Sequence, residues 1–312
     1  MAANRVTAWV LAVTLLLPAG CGTDATRAAG GPAIKRPGCV GTAPNCAGAS
    51  KECCASQAVR GGTFQLNNET DPVFATTVGD FWLDSYEVTV GRFRRFALDY
   101  PATVPAAGSG KNPRNASDPG WEAAWNRFLP VDRDTLVANV QCDAAYQTWD
   151  SGDELAMNCV TWFEANAFCI WDGGRLPTDA EWNYAAAGGA EQRAYPWSNP
   201  PSDETIDASF AVFSPATYVA PVGSKSPRGD GKFGQSDLAG NVWEWVQDWY
   251  VPYPNSACDN CAALVQPPET SERVIRGGSS YDSSSYLNSF VLDVYDPSTR
   301  LNYIGFRCAR NR

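Results

Sequence analysis

Aromatic and β-branched side chains crowd into one early stretch, Val78 to Val90 (V-G-D-F-W-L-D-S-Y-E-V-T-V), and predict a strand there. The pattern then changes period. From Gly91 to Tyr100, Phe93 and Phe96 are spaced to share one face of a predicted helix. Upstream, regular structure is expected to begin near Val59, with Gly61-Gly62-Thr63-Phe64 following. Residues 101–120 are rich in Pro, Gly, Ser and Asn and read as a long loop. The G-S-G-K inside that loop is not a phosphate loop, because the leading Gly and the hydroxyl after Lys111 are missing. Trp121 to Phe128 reads as a short helix.

Two further helices are marked by their ends. Thr161-Trp162-Phe163-Glu164 is a capping box, opening a helix that runs to about Trp171 and stops at Asp172-Gly173-Gly174. Thr178 and Glu181 form a second box, opening a helix through Ala187 that Gly188-Gly189 ends. Beyond it, short strands and irregular loops are expected to the C-terminus.

The N-terminus has a different pattern. Arg5 precedes an uncharged run from Val6 to Gly20, a positive region followed by an apolar core ending in small residues. This reads as a secretory signal, and the run is short for a spanning helix, which needs ~20 apolar residues. The alternative is a short membrane anchor. Leu17-Pro18-Ala19-Gly20-Cys21 resembles a bacterial lipobox, in which Cys21 would carry lipid, although Pro18 departs from the usual aliphatic residue. The domain plan is therefore a lipoprotein-type signal (1–20), a tether with a small Cys-rich segment (21–56) and a main domain (57–311). The expected location is the bacterial periplasm or cell envelope, with membrane attachment through Cys21 only.

Eleven cysteines sharpen that picture; setting aside Cys21 leaves ten, an even number in an exported chain, which reads as a disulfide framework. Cys142 and Cys159 flank a polar stretch and can close a loop. Cys258-x-x-Cys261 fits a tight local disulfide or one half of a zinc site, but no second pair completes the tetrahedron. The connectivity of Cys39, Cys46, Cys53 and Cys54 stays open. The net charge of -10 gives nucleic acid no electrostatic foothold. With 12 Trp, 27 Gly and 22 Pro, the composition indicates a loop-rich globular domain and not a helical bundle. The chain contains no histidine, which excludes imidazole as metal ligand or general base.

Five blocks, in order, resemble the formylglycine-generating enzyme or sulfatase-modifying factor family. They are residues 81–96, 158–189 (with G-R-L-P-T-D-A-E-W), 195–199, 237–245 (D-L-A-G-N-V-W-E-W) and 276–280 with G-F-R-C-A at 305–309. The resemblance covers about residues 57–311 and implies an α+β, C-type lectin-like fold with short twisted sheets and a few helices. It also implies a Cys169–Cys308 disulfide. The family's other internal bridge has no counterpart, because the second helix carries no cysteine.

The active site is where the resemblance breaks. The family binds copper through two cysteines, and here Asp282 and Leu287 stand at those positions in G-G-S-S-Y-D-S-S-S-Y-L (277–287). Soft Cu(I) wants thiolates, and leucine ligates nothing. The family's iron branch uses histidines, so neither copper nor iron is expected. The resemblance implies calcium in the 237–244 loop, through the side chains of Asp237 and Glu244 and the carbonyls of Gly240 and Val242. The alternative is a buried turn in which Asp237 caps and Glu244 pairs with an arginine. Trp243 and Ser279 match pocket-lining positions, and Tyr281 and Asp282 join them as a candidate pocket. Two functions remain: a non-catalytic module binding a peptide, glycan or protein, or a formylglycine-generating-type oxidase or diverged enzyme using Asp282 with Ser279 and the Ser283–Ser285 run.

Overall fold

The computed structural model describes residues 36–40, 46, 52–68, 75–251, 257–268 and 271–312. The readings of the leader and of Cys21 lie outside these residues. Strands β1 (Ser56–Val59), β2 (Gly62–Gln65), β3 (Ala75–Val78) and β4 (Phe81–Asp84) come first, followed by helix α1 (Val90–Leu98). Helices α2 (Arg133–Asn139), α3 (Trp162–Trp171) and α4 (Asp179–Ala186) occupy the middle. Strands β5 (Trp243–Trp249), β6 (Cys258–Asp259), β7 (Arg273–Arg276), β8 (Leu292–Tyr295), β9 (Ile304–Gly305) and β10 (Ala309–Asn311) follow. They form three small sheets, ordered β1-β4-β10, β2-β3-β6 and β8-β7-β5-β9. The architecture is loop-rich, as the composition predicts, and α+β, as the family resemblance implies. Among the described residues no helix is long and apolar enough to cross a membrane.

The local readings hold at the capped helices and at α1, where Phe93 and Phe96 are both buried, and fail at the long strand. Thr161 and Glu164 close a capping box on α3, and Thr178 and Glu181 close one on α4. Each glutamate also holds an arginine: Glu164 takes Arg300 and Glu181 takes Arg175. Both helices are buried on almost every face, so neither shows a one-sided apolar stripe. The single strand predicted from Val78 to Val90 is in fact two, β3 and β4, and it stops at Asp84. Polar Asp84, Ser85 and Glu87 are all buried there, and the backbone turns to feed their side chains inward. Residues 123–128 form a 3-10 helix and not an α-helix. Helix α2 was not foreseen; Asp132 caps it by accepting from Thr135 N at 2.8 Å.

The largest apolar cluster lies between α1, α3 and the C-terminal strands. Phe93 stacks on Phe168 at 5.7 Å, and Phe168 meets Phe306 edge-on at 5.4 Å. Rings in these arrangements contribute about 0.5–1.5 kcal/mol each beyond their burial. The core also contains arginines. Arg273 lies between the faces of Trp162 and Trp249, with its guanidinium carbon 3.8 and 3.6 Å from the ring centroids. Burial pushes its pKa well down, and its Nε and Nη2 have no hydrogen-bond partner among the described residues.

A buried ion network ties the ends of the chain together. Asp84, at the end of β4, accepts from Arg36 at 3.0 Å, Arg92 at 2.9 Å and Arg310 at 2.5 Å. Asp172, at the end of α3, accepts from the same three at 3.2, 2.8 and 2.7 Å. Burial alone would raise the Asp84 pKa, but Arg310, Arg36 and Arg92 hold it far below the carboxylate range. Arg36 falls within the stretch read as tether, yet it is locked here, and Gly38 N donates to Asp172 at 2.9 Å. The described residues between 36 and 56 belong to the same compact unit as those that follow.

Ten cysteines pair: Cys39–Cys54, Cys46–Cys53, Cys142–Cys159, Cys169–Cys308 and Cys258–Cys261. The bridge implied by the family resemblance, Cys169–Cys308, joins α3 to the segment before β10 with a Cα–Cα distance of 5.4 Å. It closes a loop whose ends are 139 residues apart. Replacing both cysteines by alanine is expected to lower stability by roughly 4–5 kcal/mol, measured as a shift of the denaturant midpoint. An unchanged midpoint would show that the bridge constrains little.

Asp84→Asn leaves Arg36, Arg92 and Arg310 underpaired in a dry site and is expected to cost about 3–5 kcal/mol. Because the folded-state pKa is depressed, the wild-type contribution is fully present above the unfolded value near 4. It is lost as pH falls below that value. Urea titrations from neutral pH down to acid should show an acid-side loss that is smaller in the variant. Equal slopes in both proteins would contradict the network's role.

Candidate functional site

The turn after β7 builds the candidate pocket. Gly277 and Gly278 have φ of 101° and 71°, a left-handed conformation that suits glycine. A Cβ on Gly278 would also lie 2.8 Å from Leu287 Cδ1. This turn delivers Ser279 to the start of β5, where Trp243 stands. Trp243 Nε1 donates to Asp282 Oδ2 at 2.9 Å, Ser279 N donates to the same oxygen at 2.9 Å, and Ser279 Oγ at 2.5 Å. Tyr281 N donates to Ser279 Oγ at 3.3 Å. The structure therefore brings Trp243, Ser279, Tyr281 and Asp282 together, the four residues singled out from sequence.

Asp282 and Leu287, the positions that the resemblance pairs with copper ligands, have different surroundings. Asp282 has Oδ2 occupied by three donors, while Oδ1 has no hydrogen-bond partner among the described residues. Leu287 is fully buried and packs with Tyr195, Ala211 and Ala239. It is a core side chain and not a pocket wall. Every described cysteine is in a disulfide, so no thiol remains among them for a soft metal.

Tyrosines that sequence reasoning missed complete the surroundings. Tyr146 meets Tyr281 edge-on at 6.0 Å, and Tyr281 meets Tyr303 at 6.2 Å. Tyr303 and Tyr295 share a hydrogen bond between hydroxyls at 3.2 Å. Burial raises the Tyr281 and Tyr303 pKa values, and the nearby Asp143, Asp282 and Asp293 add to it. The available signal was compositional: residues 279–303 are dense in Ser, Tyr, Asp and Asn.

The 237–244 loop lies beneath this turn. Asp237, in a left-handed conformation with φ of 59°, accepts from Gly223 N at 2.5 Å through Oδ2, and its Oδ1 has no partner among the described residues. Glu244 takes Arg307 through two hydrogen bonds of 2.7 Å and accepts from Trp182 Nε1 at 2.9 Å. Glu87, unforeseen, accepts from Asn241 Nδ2 at 3.1 Å through both oxygens. Glu87, Asp237 and Glu244 are thus three buried carboxylates around Arg307. Burial pushes Asp237 up to about 6 and Glu87 well above its ordinary value. A surplus of buried carboxylate with one open oxygen suits a hard cation. Glu244, however, is already held by Arg307, as the metal-free reading of the loop expects. Among the described residues, no three Cys, Asp or Glu side chains converge as a metal-binding group.

A cavity of about 480 Å³ lies elsewhere, lined by Thr76, Arg114, Asp248, Trp249 and the Cys258–Cys261 turn. Two of its charged wall residues are engaged. Asp248 accepts from Asp179 N and Ala263 N, and Arg114 donates to the Asp80 and Arg312 carbonyls.

Comparison with known proteins agrees with this geometry. Residues 44–312 match the Sulfatase-modifying factor enzyme 1-like domain. A formylglycine-generating enzyme from Thermomonospora curvata is 30% identical, over 81% of this chain and 92% of that protein. An inactive C-alpha-formylglycine-generating enzyme 2 from Bos taurus is 27% identical over 80% and 85%. In fold, the chain is similar to PvdO from Pseudomonas aeruginosa, with a TM-score of 0.58, 22% identity and coverage of 83% and 95%. With the capped helices, the glycine turn and the D-L-A-G-N-V-W-E-W loop all in their expected places, the chain belongs to the sulfatase-modifying factor enzyme 1-like family.

Proposed function

We propose that this protein is a non-catalytic member of its family that binds a peptide or protein partner at the Trp243–Ser279–Asp282 turn. One observation carries this reading: the two positions at which the family binds copper are now a hydrogen-bonded Asp282 and a core Leu287, with no free thiol among the described residues. An inactive relative, the Bos taurus protein above, supports it. The diverged-enzyme alternative needs Asp282 as a base for Ser279. One of the three donors to its Oδ2 is the Ser279 hydroxyl itself, and with no histidine in the chain there is no imidazole to relay that proton onward. We place the protein outside the cytoplasm, held at the envelope through a lipidated Cys21. The disulfides agree with an oxidising compartment.

The purified domain is expected to leave a C-x-P-x-R peptide cysteine unchanged, with or without copper, when followed by peptide mass. Copper-dependent loss of the thiol, with formylglycine formed, would overturn the non-catalytic reading.

The same reading keeps calcium at Asp237, with the carbonyls of Gly240 and Val242 and the carboxylate of Glu244. The open Asp237 Oδ1 and the carboxylate surplus around Arg307 support it. Bound calcium would stabilise the fold by about 2.7 kcal/mol at ~100 Kd. Chelator is expected to lower the melting temperature, and Asp237→Ala to abolish the difference. Identical melting in chelator and in calcium removes the ion from this proposal.

A further inference from the structure

The turn that holds Asp282 also holds an unusual surface. Tyr146 is 46% exposed and Tyr286 is 50% exposed, among the most exposed large aromatics of the described residues. Tyr146 stands at 88° to Tyr281 and Tyr303 at 67°, so the three rings meet at a corner, with Tyr146 exposed and Tyr281 and Tyr303 half-buried. Asp282 borders this corner. Its Oδ2 is pinned by Trp243 and Ser279, which fixes the carboxylate and leaves Oδ1 without a partner. Asp143 is anchored nearby, with Asn302 Nδ2 donating to it at 2.7 Å.

The carboxylates near these rings include Asp143, Asp282 and Asp293, which oppose ionisation of Tyr281 and Tyr303. The neighbouring cation, Arg300, is engaged by Glu164 through two bonds of 2.5 Å. Tyrosine faces attract cations, and a fixed carboxylate beside them adds Coulombic attraction. Rigid tyrosines flanked by serines and asparagines are also what protein-binding surfaces use. They offer contact area at low entropic cost, with adaptable hydrogen bonding around it. Exposed Ser283 and Ser285, linked at 2.8 Å, lie on the same turn.

We infer that this corner, formed by Tyr146, Tyr281, Tyr303 and Asp282, receives a lysine or arginine side chain presented by a partner protein. The inference rests on the non-catalytic reading of the same turn and names the chemistry of its ligand. The cation enters against the ring faces, with Asp282 Oδ1 accepting its hydrogen bond. Desolvated cation–π contacts and one charge-assisted bond give a contact selective for positive charge and weakened by salt.

The test uses the intact domain and two peptides, N-acetyl tetra-arginine amide and its uncharged isostere N-acetyl tetra-citrulline amide, titrated by calorimetry at low and at physiological salt. Tetra-arginine is expected to bind about tenfold tighter than tetra-citrulline, and Asp282→Asn to reduce arginine binding about tenfold. The asparagine keeps an acceptor for Trp243 and Ser279, so folding is preserved. Tyr281→Leu, checked for folding by circular dichroism, is expected to weaken binding about threefold or more. If it does not fold, Asp282→Asn decides alone. Asp99→Asn, an exposed carboxylate just after α1, is expected to change nothing. Equal binding of the two peptides overturns the inference. So does full binding by Asp282→Asn, or an equal loss in Asp99→Asn, which would mean diffuse attraction to an acidic protein. Any of these leaves the non-catalytic reading standing, whereas peptide-cysteine conversion with copper defeats that reading without altering the binding comparison.

Discussion

Two buried carboxylates, Asp84 and Asp172, are what the rest of this structure hangs on. Between them they hold Arg36, Arg92 and Arg310, which come from the N-terminal segment, helix α1 and the last strand. The cluster has one more guanidinium than carboxylate. Burial pushes Arg36 down to about 10, and only the nearness of Asp84 and Asp172 keeps three cations tolerable in one site. Removing one carboxylate leaves buried charge unmatched, which is why such clusters specify geometry more than they add net stability. Sequence-distant segments meet here because few other places satisfy these arginines.

Arginine also solves the problem of a loop-rich core. Irregular backbone carries carbonyls that no ladder or helix satisfies, and buried carbonyls need partners. Arg307 donates to the carbonyls of Asp84, Ser85 and Ser236 while holding Glu244. Arg276 reaches the carbonyls of Phe290 and Val291 while pairing with Asp179. Trp162 and Trp245 do the same, donating to the carbonyls of Val246 and Val160. A domain with so little sheet can then keep its loops inside.

The functional turn inherits this rigidity. Trp243 begins a strand that is buried along its whole length, and Ser279 follows two left-handed glycines. On that frame, Asp282 and Leu287, the positions that the family resemblance pairs with copper ligands, take different surroundings. Leucine joins the apolar cluster under Gly240 and Gly278, and aspartate turns to the indole and serine donors. The frame around the turn is positioned by arginine clusters and aromatic packing on other elements.

Sequence by itself determined the ends of α3 and α4, because a capping box is local chemistry spanning four residues. It determined the exclusion of imidazole, and family motifs assigned the fold, the Cys169–Cys308 bridge and the four residues of the candidate pocket. Local patterning erred where partners are distant. Val78–Val90 looked like one strand because its aromatic and β-branched content hides the fact that Asp84 and Glu87 turn inward. Arg36 looked like tether because nothing near it in the chain reveals carboxylates 48 and 136 residues away. Only the tertiary structure decided the disulfide pairing of Cys39 to Cys54, the capture of Glu244 by Arg307, and the meeting of Tyr146, Tyr281 and Tyr303. Each joins residues through space, and the free energy of such a contact depends on burial and on which opposite charges or rings arrive beside it, neither of which is written in any local stretch of the chain.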